Sequence, residues 1–444
     1  MKDIERVAVV GLGYVGLTLA VAMAQRGIEV VGVERRPEVV DLTNAGKPHF
    51  SEQGLDEILD QVVKRGSLKA FTSFGDVAPC DAYVITVGTP LGADGNPRLD
   101  MVESATREVV SHMADGALIV LRSTVKLGTT REVVARVLEE SGRSGFVAMC
   151  PERTLEGDAL REIANLPQIV GGLTDAATDR AASLFGKLTN SVVRVASPET
   201  AEMIKLIDNT YRDVRFAFAN EVARACDAVG VNANDVIGFG KLGYPRTNVA
   251  LPGLVGGPCL EKDPHILRHS LAQYGVDMEV TGAARKVNER QPHETVAQAF
   301  AIARARNANA PLTIALAGLA FKGVPETDDL RGSMALHVID AIRAQGHEGA
   351  IRVYDPVVQE AHIGELGLGL EVHGDLESAA EGAHILFIAN NHPSYRKVTL
   401  DRLAGKLGTN GFIYDYWNHF GHEMGVQPGR YVTVGNLVAG EKAA

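Results

Sequence analysis

Cysteine is scarce in this chain. Its four cysteines, Cys80, Cys150, Cys226 and Cys259, stand singly among 444 residues, with neither the close pairs of a zinc site nor the density of a disulfide framework. The expectation is no metal centre and a reducing compartment. Positive charge is short as well. Lys and Arg number 44 against 55 Asp and Glu, and the net charge of -11 argues against non-specific nucleic-acid binding and against an anionic membrane surface. An anionic ligand held by a local arginine or lysine stays open. No apolar run reaches the length of a membrane span, and the opening residues Met1 to Arg6 lack the apolar core of a signal peptide. Low-complexity tracts are missing too. What remains, 45% apolar and 22% charged, is the composition of an ordinary globular protein with room for two or three domains. These absences lead to the expectation of a cytoplasmic enzyme.

What the chain does hold starts at Val7-Ala8-Val9-Val10, an apolar run that reads as a buried strand. It runs straight into Gly11-Leu12-Gly13-Tyr14-Val15-Gly16. A helix over 17–26, a stop at Gly27 and a second strand over 29–33 follow, and that strand ends at Glu34. A glycine loop between strand and helix, with an acid closing the next strand, is the dinucleotide fingerprint in its proper setting. The first glycine makes the tight turn, the second admits a pyrophosphate to the backbone, and the third lets the helix pack on the strand. Glu34 would accept hydrogen bonds from ribose hydroxyls, which favours NAD over NADP; Arg35 and Arg36 pull the other way.

Strands keep alternating with helices. Runs at 82–87, 117–121 and 146–150 end near Thr89, Thr124 and Glu152. Ligands of a parallel sheet lie beyond the carboxyl ends of its strands, so three polar residues at successive ends point to one cleft. From Pro198 to Gly230 apolar residues recur every three or four positions, a long amphipathic helix with Lys205 and Asn209 stacked on one face. A second helical stretch covers 281–307, so the middle of the chain reads as an all-helical connector. After Pro311 four more strand runs form a second α/β domain without the glycine fingerprint, suited to a mononucleotide or nucleotide sugar. Its Phe321-Lys322-Gly323 loop and Arg331, before a helix, offer phosphate ligands. Residues 439–444 read as a frayed tail. The expected architecture is α/β, with two Rossmann-like doubly wound domains joined by a long central helical connector, divided as 1–195, 196–308 and 309–444.

The stretch with the sharpest chemistry is Gly256-Gly257-Pro258-Cys259-Leu260-Glu261-Lys262-Asp263. It sets a cysteine after a Gly-Gly-Pro turn at the head of a helical pattern. A helix N-terminus and Lys262 one turn on both favour a thiolate. The glycines read as letting backbone approach a ligand closely. A cysteine beside a turn is ordinarily just buried; the glycines, lysine and aspartate around this one point to a nucleophile.

Together these motifs resemble the nucleoside-diphosphate-sugar 6-dehydrogenases, the UDP-glucose and GDP-mannose dehydrogenase family, along the whole chain. The resemblance rests on Gly-Gly-x-Cys-x-x-x-Asp, Val87-Gly88-Thr89-Pro90, Ser123-Thr124-Val125, Pro151-Glu152, Glu202 to Leu206 with Asn209, and Phe321-Lys322-Gly323 with Thr327 to Arg331. It implies a double oxidation of a sugar C6 alcohol to the carboxylate, with two NAD each taking a hydride. Cys259 would add to the intermediate aldehyde, and the thiohemiacetal would be oxidised to a thioester that water hydrolyses. By the same resemblance Lys205 and Asn209 would stabilise oxyanion charge, Asp263 and Thr124 would hold a water, and Glu152 would be the general base. The glycine loop from Gly11 to Gly16, Glu34, Thr89, Thr124, Glu156, Lys262 and Arg331 would contact the cofactor. The UDP-sugar would meet Glu152, Arg153, Thr154, Leu155, Glu156, Lys205, Asn209, Gly253, Gly256, Cys259, Phe321 and Lys322. The central helices resemble a dimer-forming connector, and Arg246 would enter a neighbouring subunit's site.

Pro151-Glu152-Arg153, Pro245-Arg246 and His49 to Leu55 resemble members acting on N-acetylated aminosugars, so UDP-N-acetylmannosamine or UDP-N-acetylglucosamine is favoured over UDP-glucose. Pro258, where those members often have histidine, Lys262, and Glu156, where many have proline, depart from that pattern. Two other classes compete: a two-electron hydroxyacid dehydrogenase, which would not need Cys259, and a silent nucleotide-sugar binder, which would tolerate losing Cys259 and Lys205.

Overall fold

A computed structural model describes residues 3–75, 77–92, 95–307, 311–423 and 429–437; the expected tail at 439–444 lies outside them. Its contacts divide the chain into two compact units, Met1–Asn209 with His265–Asp277, and Thr210–Pro264 with Met278–Ala444.

The first unit is built on eight strands: β1 (Arg6–Val10), β2 (Glu29–Val33), β3 (Leu68–Phe71), β4 (Ala82–Ile85), β5 (Ala117–Leu121), β6 (Gly145–Met149), β7 (Gln168–Gly172) and β8 (Val192–Arg194). Their order is β3-β2-β1-β4-β5-β6-β7-β8, and only the β6–β7 pair is antiparallel. The continuous apolar runs of β1, β4 and β5 follow from burial on both faces of a parallel sheet. Val7 and Val9 enter one core with Leu19 and Leu59, while Ala8 and Val10 enter the opposite one with Val109 and Val134. Strands β3, β7 and β8 were not expected. β8 is a three-residue edge strand and β7 carries two glycines, so neither shows an apolar alternation to read.

The second unit holds a parallel sheet of β9 (Ile314–Ala317), β10 (Ile351–Tyr354), β11 (Leu370–Val372), β12 (Ile385–Ile388), β13 (Phe412–Asp415) and β14 (Tyr431–Thr433). Its order, β11-β10-β9-β12-β13-β14, repeats that of the first sheet's leading strands. Ile314 and Leu316 face a core shared with Val296, Ala299 and Phe300 of the helix Glu279–Arg306, and Ala315 and Ala317 face the other side. Among the described residues between β8 and β9 all regular structure is helical. It comprises Pro198–Val229, Ala233–Gly240, Gly257–Leu260, Asp263–Ala272 and Glu279–Arg306. Two Rossmann-like sheets and long connecting helices are therefore the fold. None of the described helices is long and apolar enough to cross a membrane.

Candidate active site

The glycine loop closes β1. Gly11 lies in the left-handed region at φ 92°, and its N–H donates to Val33 O at 2.7 Å, tying the loop to β2. A Cβ on Gly16 would stand 1.8 Å from Gly11 O, so the third glycine is what allows the helix Tyr14–Gln25 to start here. A Cβ on Gly13 would meet nothing within 4 Å, and that helix has no side-chain cap. Open space above uncapped N–H groups is what a pyrophosphate requires. At the end of β2, Glu34 accepts the Leu12 N–H at 3.0 Å. Burial works to raise its proton affinity. The Arg36 side chain and the N–H groups of Arg36 and Leu12 outweigh that and hold it below the usual carboxylate range. An ionised acid at that point suits ribose hydroxyls, so these residues fit NAD.

Tyr14 has a further duty. Its hydroxyl bonds the buried Glu52, and both accept the Gly157 N–H, at 2.6 and 2.7 Å. Glu52 also accepts the Ala159 N–H at 2.7 Å. Glu52 thus anchors the loop carrying Arg153 to Glu156, a role not foreseen from its place in a His-Phe-Ser-Glu run.

Thr89 Oγ1 donates to Thr124 O, joining two of the expected residues. Glu152, 7% exposed, meets Arg122, which is fully buried. Arg122 Nε and Nη2 donate to Oε2 at 2.9 and 2.6 Å, while Oε1 accepts from the backbone of Arg153 and Thr154 at 2.7 and 2.8 Å. Arg122 Nη1 goes to Cys150 O and Gln168 Oε1. Burial alone would raise Glu152; the Arg122 charge, the Thr154 N–H and the Lys205 charge lower it, and they win. Burial pushes the neighbouring Cys150 thiol up to about 12, which removes it as a nucleophile. Arg122 was not singled out in the sequence. A basic residue directly after the apolar run Ala117–Leu121 was the available signal. Arg153, expected to meet substrate, is ion-paired to Asp208 at 3.0 Å. Lys205 and Asn209 are buried, Glu156 is half-buried.

In the second unit Cys259 is exposed, whereas Cys80, Cys150 and Cys226 are buried. It sits third in the four-residue helix Gly257–Leu260. The glycines before it serve packing, which differs from the expectation of ligand approach. A Cβ on Gly256 would lie 2.5 Å from Met334 Cγ. One on Gly257, at φ 90°, would lie 2.6 Å from the Phe321 ring. The Gly257 N–H donates to Gly332 O at 2.7 Å. Phe321 therefore backs the cysteine's turn. Lys262 is also placed differently from the expectation of a cation serving the thiol: its Nζ lies 2.7 Å from Oδ1 of the fully buried Asp263. Arg331 forms a two-point pair with Asp329, Lys322 Nζ lies 5.2 Å over the Phe321 ring, and exposed Arg246 stacks on Tyr244 at 4.5 Å. The helix Met334–Ala344 is capped by Ser333, whose Oγ accepts the Ala335 N–H, so its terminus is partly satisfied already.

Sequence comparison matches residues 5–189 to the NAD binding domain, 199–290 to the central domain and 315–422 to the UDP binding domain of one family. UDP-N-acetyl-D-mannosamine dehydrogenase of Pyrococcus horikoshii is 36% identical over 417 residues, 92% of this chain and 94% of that protein. The chain belongs to the UDP-glucose/GDP-mannose dehydrogenase family. It is accordingly an NAD-dependent nucleotide-sugar dehydrogenase. A solved structure of the UDP-D-ManNAc dehydrogenase from Pyrococcus horikoshii superposes with a TM-score of 0.86 at 33% identity, covering 97% of this chain and 99% of that one. A UDP-glucose dehydrogenase from Pyrobaculum islandicum gives 0.84 at 28% identity, covering 94% of each. Among the described residues no cluster of His, Cys, Asp and Glu could hold a metal ion.

Proposed function

We propose that this dehydrogenase oxidises the C6 alcohol of a UDP-N-acetylhexosamine, of the manno or gluco series, to the carboxylate by way of a thioester on Cys259. The observation that carries the reading is the exposure of this one thiol among four, on a turn followed by a buried carboxylate, in a chain whose first sheet fits NAD. NAD, when bound, supplies the hydride acceptor. The chain's residues do the rest. Lys205 and Asn209 stabilise negative charge on the C6 oxygen. Cys259 Sγ adds to the aldehyde carbon, and the thiohemiacetal so formed retains the hydrogen that the second oxidation removes. Water then attacks the thioester carbonyl, the C–S bond breaks, and Sγ leaves as thiolate. Asp263 and Thr124 are our choice for holding that water.

For Glu152 we favour anchoring over general-base work. Both oxygens already accept two donors each, and its lowered proton affinity makes it a weak base at neutral pH. It fixes the Arg153–Thr154 turn at the sugar's edge. Thr154, Leu155, Glu156, Gly253, Gly256, Phe321 and Lys322 remain proposed substrate contacts. Thr89, Glu156, Lys262 and Arg331 remain proposed cofactor contacts.

The three-part division at 1–195, 196–308 and 309–444 is proposed to separate cofactor binding, helical dimerisation and UDP-sugar binding. Exposed Tyr211 and Phe218 on the helix Pro198–Val229, with Phe239 and Leu242 after it, support a homodimer through the central helices, with Arg246 reaching the other subunit. A single-chain mass in sedimentation would remove it. Exposed Cys259 would be preserved by a reducing cytoplasm.

The test is stoichiometry across a panel of UDP- and GDP-sugars. Two NADH per sugar and a uronate product are expected from a UDP-N-acetylhexosamine, and Cys259→Ser should bind NAD normally but yield no carboxylate. One NADH per sugar would instead mark a simple two-electron dehydrogenase. Faster turnover of UDP-glucose would favour the second reading, which Lys262 and the likeness to the Pyrobaculum islandicum enzyme support.

A further inference from the structure

Four buried side chains between the helices Pro198–Val229 and Glu279–Arg306 form one hydrogen-bonded string that ends on either side of Cys259. Asn220 Oδ1 accepts the Gly253 N–H at 2.9 Å, and Asn220 Nδ2 donates to Asn288 Oδ1 at 3.1 Å. Asn288 Nδ2 donates to Asp213 Oδ1 at 2.8 Å and to Asp213 O at 3.1 Å. Arg285 Nη1 donates to the same Oδ1 at 2.6 Å and to Leu260 O at 3.1 Å. None of the four is more than 2% exposed.

Its two end points, the Gly253 N–H and the Leu260 carbonyl, bracket the segment that carries Gly256, Gly257 and Cys259. That segment is also tied to Gly332 O by the Gly257 N–H and abuts the Phe321 ring at Gly257. A buried ion pair is costly to desolvate and is a weak source of stability. A string whose members all converge on Asp213 Oδ1 or on one another does, however, define where its ends stand, although Asp213 Oδ2 is left without a partner. Asp213 lies four residues beyond Asn209 and eight beyond Lys205 in one helix, so the three share a face.

We propose that Arg285, with Asp213, Asn288 and Asn220, is the positioning device that sets where the Cys259 sulfur stands. This rests on the reading of Cys259 as nucleophile. Displacing a reacting atom by about an ångström costs on the order of a hundredfold in rate. The aldehyde-to-carboxylate half, which needs the sulfur, should therefore feel a slack string far more than the alcohol-to-aldehyde half.

Arg285→Lys keeps a positive charge opposite Asp213 but is shorter and loses the fixed plane in which Nη1 directs its two N–H groups to Asp213 Oδ1 and Leu260 O. Its expected phenotype is a fall of about 10- to 100-fold in kcat on supplied nucleotide-sugar 6-aldehyde. KM for the sugar, NAD affinity and thermal midpoint should stay near wild type, with a changed rate of Cys259 alkylation by iodoacetamide read by peptide mass spectrometry. Equal losses in the two halves, or unchanged aldehyde turnover with unchanged alkylation, would overturn the proposal. Should Arg285→Lys not fold, Asn220→Ser loosens the other end and is read the same way. Cys259→Ser, assayed in parallel, separates the two ideas. If it still makes carboxylate, the covalent reading fails, whereas the alkylation rates of the other variants report the string without any turnover.

Discussion

The two sheets begin with the same crossover and finish it in opposite ways. Gly11 and Gly318 both sit at the end of a first strand, at φ 92° and 91°, and both donate to the next strand, to Val33 O and Tyr354 O at 2.7 and 2.9 Å. Both second strands end in an acid, Glu34 or Asp355. Beyond that they part. In the first sheet the space above Gly13 is open, and Glu34 accepts one N–H from the glycine loop, the Arg36 N–H and two bonds from the exposed Arg36 side chain. In the second, a Cβ on Gly318 would lie 2.6 Å from Asn390, and Asp355 accepts four N–H groups, from Leu319, Ala320, Val357 and Val358. One acid spends half of its bonds on an exposed arginine side chain, which a ligand can replace; the other is consumed by backbone in closing its own loop. The same topology therefore provides a dinucleotide cradle in one half and a filled corner in the other.

That contrast can be broken at three points. The largest effect is expected from Asp355→Ala, which leaves four N–H groups without their acceptor and should cost about 3 kcal/mol in chemical denaturation; a loss below about 1 kcal/mol would mean the corner is not closed by this carboxylate. Next, Gly318→Ala should cost roughly 2 kcal/mol through its left-handed backbone and Asn390. Gly13→Ala should change stability by less than about 0.5 kcal/mol, yet weaken NAD binding about tenfold or more in calorimetry, because the methyl occupies the pyrophosphate's approach. Equal effects of the two substitutions on stability would erase the distinction.

The smallest effect concerns Glu34→Gln. Glu34 has a folded proton affinity below its ordinary value of 4.5, so the stability it contributes is present above pH 4.5 and lost as pH falls through the lower folded value. The glutamine variant should flatten that acid limb by under about 1 kcal/mol, and it should narrow the preference for NAD over NADP. An unchanged acid limb would show that Arg36 and Leu12 do not hold the charge.

Much of this was legible beforehand because it is local. Gly11 and Gly16 announce a turn and a close helix start through their own missing Cβ. The 3.6-residue period of 198–229 shows which face carries Lys205 and Asn209. The period-two alternation within β1 sends Val7 and Val9 one way and Ala8 and Val10 the other. Gly256 and Gly257 were legible as a tight spot but not in their reason, since the atoms that crowd them, in Met334 and Phe321, lie more than sixty residues away. Lys262 looked like a cation for the thiol until the structure placed it against Asp263.

By itself, then, the chain order determined most of the strands, the long helices and the dinucleotide loop, and it singled out Cys259, all of which follow from neighbours within a few bonds or one helical turn. Only the tertiary structure decided which buried charges are paired and which loops are held. Arg122 meets Glu152 across 30 residues and Arg285 meets Asp213 across 72, and such pairings depend on how strands and helices are ordered in space. Burial makes those partners decisive, because a charge taken out of water must find its counterpart wherever the fold has put it.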